Sequence, residues 1–214
     1  MPESKPQNAN QNSIPSESTA VPVIDDSASR VHGPWRILAS QVRYQDPWVQ
    51  VVRDEVIRPD GLPGSYCVIT LKPGVCVVAL DNQGRVHLTR EFHYAVGEET
   101  IEGVSGGRDG SESPLLAAQR ELREELGLLA ATWIDLGRVD PFTANVFSPT
   151  QLYLAMELTH GERELEGTEQ IEPVVIGFEE ALEMVMDSRI THAPSCVALL
   201  KAARHLGHSP KRNT

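Results

Sequence analysis

The sequence predicts an α/β chain with a strand-rich N-terminal half, on three observations. Between residues 35 and 89, short apolar runs alternate with turn residues and no helical period intervenes. The first convincing helix begins only after Ser113. A last strand at 173–177 is followed by helical stretches over 178–187 and 193–206. Because helices do not alternate with strands in the first half, a βαβ array is excluded.

Taken in order, residues 1–31 are rich in Ser, Pro, Asn and Gln, with one short apolar patch at 20–24. Such a segment buries too little apolar surface to offset its ordering entropy, so it is expected to be a disordered arm. A domain is expected over 32–208, with a short tail at 209–214. Trp48-Val-Gln-Val-Val-Arg alternates as a half-buried strand should. Arg58-Pro-Asp-Gly-Leu-Pro-Gly supplies turn chemistry before a strand at 65–71. Val75-Cys-Val-Val-Ala-Leu is a continuous apolar run, and Asp81-Asn-Gln-Gly turns it into Arg85-Val-His-Leu-Thr-Arg. This part reads as an antiparallel meander.

For the helix at 114–126, Ser113 is a natural N-cap, Pro114 fits the first turn and Gly127 stops it. Leu115, Ala118, Leu122 and Leu126 are its expected buried stripe. Strands are expected at 133–139 and 150–157, then a polar acidic loop at 161–172.

Composition narrows the function. The chain has 214 residues, a formal net charge of -11 and 40% hydrophobic residues. That supports a folded core and disfavours nucleic acid as a partner, since an acidic surface repels polyanions. No apolar stretch approaches the ~20 residues a membrane span needs, so no membrane partner is expected. The N-terminus lacks a basic start with an apolar run. Cys67, Cys76 and Cys196 show no paired spacing, which reads as reduced, core-packed thiols in a cytoplasmic protein.

The chemistry is concentrated in Arg120-Glu-Leu-Arg-Glu-Glu125. Glu121 and Glu125 are i, i+4 neighbours and Glu124 lies beside them. Like charges at this spacing repel, and the C-terminal end of a helix disfavours anions. Taken alone, the glutamates fit either a solvated acidic face balanced by Arg120 and Arg123 or a site for a hard divalent cation such as Mg2+. Their surroundings favour the cation. Residues 106–128 read G-x5-E-x7-R-E-U-x-E-E-x-G-U without a departure, U being a bulky aliphatic. Gly106 and Gly107 allow a tight loop against the helix, and Glu112 can anchor that loop through Arg120.

On this box the chain resembles the Nudix hydrolases. The resemblance implies a Nudix fold, a mixed β-sheet sandwiched between helices (α/β/α), with an N-terminal antiparallel strand region. It extends over about residues 45–205. The stretch from Arg90 to Glu102 and the ending from Ile190 to Leu200 are similar to the ADP-ribose pyrophosphatase and NDP-sugar hydrolase branch. The resemblance implies that Glu121, Glu125 and the Ser105 carbonyl hold Mg2+, with Glu124 assisting and Mn2+ a possible substitute. Gly106, Glu112, Arg120 and Gly127 are implied as structural box residues. Arg90 and Glu102 are implied at the substrate, and Arg90 fits a surface ion pair equally well. A loop glutamate is implied to complete catalysis. Glu169 matches best, Glu166 second, and Glu164 and Glu172 are also available.

Three departures concern the substrate. Gly103-Val-Ser-Gly-Gly lacks the usual proline, His93 stands where an arginine is common, and Pro141 and Pro149 are displaced from the branch's proline position. His93 alone reads as a structural hydrogen-bonder. The expected reaction is Mg2+-dependent cleavage of the diphosphate in ADP-ribose or an NDP-sugar, giving a nucleoside monophosphate and a sugar phosphate. A house-cleaning nucleoside triphosphate pyrophosphatase and a catalytically silent nucleotide-sensing module are the alternatives. The resembled branch also makes a homodimer plausible.

Overall fold

The computed structural model describes residues 23–24, 29–164 and 170–208. The chain forms two compact units, one from the residues up to Arg43 with Val52–Tyr66, the other from Tyr44–Val51 with Cys67 onward.

The first unit is a set of antiparallel strands. β1 (Val23–Ile24) and β2 (Arg30–His32) both pair with β3 (Trp35–Gln45). β4 (Val49–Ile57) and β5 (Pro63–Leu71) continue the order. Val23–Ile24, within the segment expected to be an arm, therefore pairs at Gln41 and Ser40; the rest of 1–28 and the tail at 209–214 lie outside the described residues. Gly61 takes φ +83° in the β4–β5 turn, where the Asp60 carboxylate accepts from Leu62 N–H at 3.1 Å. Ile37 and Val56 are buried, and buried Ser40 donates to Asp54 at 2.5 Å.

The second unit is a mixed sheet between helices. Its strands are β6 (Gly74–Leu80), β7 (Arg85–His93), β8 (Glu98–Glu102), β9 (Val104–Gly107), β10 (Leu128–Val139), β12 (Thr150–His160) and β13 (Glu172–Gly177). The order is β10-β12-β6-β7-β13, with β8 on β7 and β9 on β6. The β12·β6 pair is parallel and the rest are antiparallel. Two-residue β11 (Val146–Phe147) runs parallel to Ile69–Thr70 of β5.

The continuous apolar run at β6 has a simple cause: both of its faces are covered. Val75, Val77 and Ala79 pack with Ala117, Ala118 and Leu122 of α1 (Pro114–Leu126). Cys76 and Val78 face the other way, into a cluster with Phe178 and Ala181 of α2 (Phe178–Met186) and Ala198 and Leu199 of α3 (Ala193–His205). Successive side chains alternate faces, so only an apolar-throughout strand fits there. The fold is thus the expected α/β/α arrangement.

Two expectations are corrected. The antiparallel meander does not run through to β7, because β6 leaves the first sheet and pairs parallel with β12. The buried stripe of α1 excludes Leu115, which is 37% exposed, and instead comprises Ala117, Ala118, Glu121, Leu122 and Glu125. Two glutamates lie on the face that a purely structural helix would make apolar.

Candidate active site

Helix α1 is built as its sequence requires. Ser113 Oγ accepts from Leu116 N–H at 3.3 Å, and Gly127 ends the helix in the left-handed region at φ 62°. Leu122, fully buried, fixes the rotation of the helix. That rotation leaves Glu121 8% and Glu125 5% exposed.

Arg120 organises the box. Its Nε and Nη2 donate to the two Glu112 oxygens at 3.2 Å each, and Nη2 also donates to the Gly107 carbonyl at 2.9 Å. Nη1 reaches Glu121 Oε1 at 2.8 Å and Glu124 Oε2 at 2.9 Å. Glu112 beside it raises the guanidinium's pKa well above the ordinary range, against the cost of burial, with Glu121 and Glu124 adding to the effect. In return, Arg120 holds the Glu112 carboxyl below its ordinary value. Arg108 donates to the Glu112 carbonyl at 3.1 and 2.6 Å, closing the 108–112 segment on itself, while Arg120 ties that segment to the helix.

Gly106 and Gly107 were expected in a tight loop; they lie instead in β9, paired with Val75 and Gly74. Glycine at 106 leaves room for a side chain of the helix. A Cβ there would overlap the Glu121 carboxylate. Side chain and main chain approach each other at the one place where a hydrogen replaces a methyl group.

Glu125, Ser105, Gly106 and Gly107 line a cavity of about 410 Å³. Thr89, Glu91, His93, Glu102, His192 and Trp48 also line it. Arg90 is absent from that lining. Residues 89, 91 and 93 share one face of β7, so Arg90 falls on the other and pairs with Glu172 at 3.9 Å. Glu164 pairs with Arg123 at 3.4 Å. Glu166 and Glu169 lie outside the described residues.

Glu102 sits in a network that the sequence does not announce. Its Oε1 accepts from Thr100 Oγ1 at 2.6 Å and lies 3.0 Å from His93 Nε2. Its Oε2 lies 3.0 Å from His192 Nδ1. His192 Nδ1 is also 2.8 Å from Ser195 Oγ, which accepts from Gly103 N–H at 2.8 Å. Burial lowers the His192 pKa; Glu102 opposes that shift and His93 adds to it. Ser195 is fully buried and meets the same ring nitrogen as Glu102, so this is not the relay of a serine hydrolase, which uses both nitrogens. Gly103 is also sterically required, since a Cβ would stand 2.8 Å from the Val77 carbonyl. His192 and Ser195 could be found from sequence only through the position of 190–200 within the resemblance; spacing carries no signal for them.

The NUDIX domain matches residues 70–194, more than half of the chain. The chain belongs to the NUDIX family. Residues 35–69 match the nucleoside diphosphate sugar hydrolase N-terminal domain. This NUDIX protein is 38% identical over 109 residues to an ADP-ribose pyrophosphatase of Mycobacterium tuberculosis, covering 50% of the chain and 52% of that relative. The chain thus aligns with about half the length of that protein. It is 23% identical over 172 residues to an ADP-ribose pyrophosphatase of Bacillus subtilis, covering 77% of the chain and 90% of the relative. Over 155 residues it is 23% identical to a methanol dehydrogenase activator of Bacillus methanolicus, covering 71% and 83%. The fold matches the crystal structure of an ADP compounds hydrolase at TM-score 0.73 and 20% identity, over 85% of this chain and 100% of that one.

Proposed function

We propose that this protein hydrolyses the diphosphate linkage of a nucleoside diphosphate derivative, ADP-ribose or an NDP-sugar, to a nucleoside monophosphate and a sugar phosphate. The observation that carries the reading is the pair of buried helix glutamates, one turn apart, against a glycine strand at a cavity. The names of the two pyrophosphatase relatives support the substrate class, as does the match of residues 35–69.

The donor set fits Mg2+. Glu121, Glu125 and the Ser105 carbonyl are all oxygen donors, with Glu124 adjoining, and Mn2+ suits the same set. Among the described residues no three Asp, Glu, His or Cys side chains are grouped to hold an ion. Two carboxylates and a carbonyl accord with Mg2+, which keeps several waters and shares its shell with substrate phosphates. When bound, the metal would neutralise the diphosphate and lower the pKa of a water. Arg120, Glu112 and Gly107 hold the glutamates in place for this. Glu169 or Glu166 takes the proton of the attacking water. The acidic surface and the small cavity favour a small-molecule substrate over nucleic acid. A cytoplasmic homodimer completes the reading; among the described residues no helix is long and apolar enough to cross a membrane.

The test is a substrate panel of ADP-ribose, NDP-sugars, dinucleoside polyphosphates and NTPs with Mg2+. Fastest release of nucleoside monophosphate from ADP-ribose or an NDP-sugar is expected. Preference for NTPs would turn the assignment towards triphosphate pyrophosphatase chemistry. Tight binding without turnover would indicate a sensing module.

A further inference from the structure

The cavity is lined by two histidines that share one carboxylate, and its charge bears on where their protons lie. A bare imidazole nitrogen 3.0 Å from a carboxylate oxygen would set two lone pairs against each other. The carboxylate charge therefore favours the proton on His93 Nε2, 3.0 Å from Glu102 Oε1, and on His192 Nδ1, 3.0 Å from Oε2, while Ser195 Oγ is the partner that His192 Nδ1 meets in hydrogen-bond geometry. The Thr100 hydroxyl supplies a third donor to the carboxylate. The Ser195 hydroxyl also lies 3.6 Å from Cys76 Sγ.

It follows that, in the neutral rings, His93 Nδ1 and His192 Nε2 are hydrogen-bond acceptors. Neither has a protein partner among the described residues, and both side chains are partly exposed on the cavity wall, at 36% and 27%. Acceptors seek donors. A phosphate offers none at neutral pH, and the neighbouring charges oppose it: Glu91 and Glu102 line the same cavity. Among the described lining residues there is no arginine, and the lysine, Lys72, is engaged by Asp109 at 3.0 Å. An uncharged hydroxyl-bearing group meets these requirements.

We infer that His93 and His192, held by Glu102, form a hydroxyl-recognising subsite for the sugar carried beyond the diphosphate. The inference rests on the diphosphate-hydrolase reading and adds residues to it. His93 and His192 are specificity-determining groups that accept from sugar hydroxyls, and Glu102 acts through them as a positioning residue. A further phosphate on that sugar is disfavoured at neutral pH.

Two measurements test it. The first is the 15N imidazole spectrum of the labelled wild-type protein at pH 8. A protonated Nε2 on His93 and a protonated Nδ1 on His192 are expected; the opposite tautomer at either ring overturns the inference without any variant. The second is calorimetric titration with ADP, with ADP-ribose carrying a methylene bridge in place of the cleaved oxygen, and with the distal monodeoxy forms of that analogue. The variants are His93→Gln and His192→Asn, whose amides can keep an N–H towards Glu102 while removing the ring nitrogen that accepts from the sugar. The wild type should bind the parent analogue about tenfold more tightly than at least one deoxy form, roughly the worth of one hydrogen bond. Each variant should narrow a deoxy gap to about twofold or less. A gap unchanged in both variants, or absent from the wild type, refutes the subsite alone. Failure of the wild type to bind any diphosphate refutes the underlying reading and the subsite with it.

Discussion

Glu125 is the residue on which the proposed chemistry depends most. It is buried, on the last turn of α1, and lines the cavity beside Ser105 and Gly106. Glu125→Gln preserves shape and removes charge, so turnover of the best substrate should fall by a factor of roughly 10²–10⁴. The melting temperature should stay the same or rise, because repulsion with Glu121 is relieved. Full Mg2+-dependent turnover by this variant would exclude the glutamate from the site. Gly106→Ala asks the same question from the strand side. Its methyl overlaps the Glu121 carboxylate, so activity should fall by at least about tenfold, measured as kcat at saturating Mg2+. Cys76 offers a prediction in stability. Burial pushes its thiol from 9.0 up to about 11. Between those values the unfolded thiol loses its proton while the folded one keeps it. Stability is therefore fully present below pH 9 and declines as pH rises towards 11, by about 2–3 kcal/mol in this one group. Urea midpoints at pH 8 and pH 10 should diverge more in the wild type than in Cys76→Ala. Equal divergence would show that another group dominates.

At the level of the element, the C-terminus of α1 is where helix, strand and loop meet. Gly127 stands in the left-handed region, and a Cβ there would come within 3.2 Å of Arg163 Cβ. Its carbonyl accepts from Gly161 N–H at 2.7 Å. Arg163 then donates Nε to the Glu125 carbonyl at 2.5 Å and Nη2 to the Ile171 carbonyl at 2.6 Å. A cation thus caps the end of the helix that carries the glutamates, where carbonyls lack intrahelical partners and the dipole is negative. Gly127→Ala should cost about 1–2 kcal/mol through backbone strain, before any clash with Arg163 is counted. A fall of several degrees in melting temperature is the expected reading. An unchanged melting temperature would mean that the helix end re-forms without the left-handed residue.

On the scale of the whole molecule, the proposed dimer has a simple readout. Phe92, Tyr94 and Val96 cluster about the β7–β8 turn, and Tyr94 is 95% exposed. Exposed large apolar groups of this kind are what a dimer interface would cover. Sedimentation equilibrium should give twice the chain mass of 23.5 kDa. A value near the single-chain mass across micromolar concentrations would remove the dimer from the reading.

Much of this was legible in sequence for reasons of local physics. Ser113, Pro114 and Gly127 delimit α1 because caps act within one turn of chain. The box residues 106–128 announce the metal-type chemistry because their spacing is set by one helix and the strand before it. The run at 75–80 reads as buried because a strand covered on both faces tolerates no polar residue. Beyond that range, sequence loses its hold. Nothing in it says that β6 pairs parallel with β12, since register depends on which faces are already covered. Arg90 and His93 look alike in sequence, yet strand parity separates them, one facing Glu172 and the other the cavity. His192 lies 90 residues from Glu102 in the chain and 3.0 Å from it in space. The sequence by itself determined the helix, its glutamates and the class of chemistry, because these depend on neighbours along the chain. The tertiary structure decided which side chains wall the cavity and which of them meet, because contacts between distant segments exist only once the sheet has brought them together.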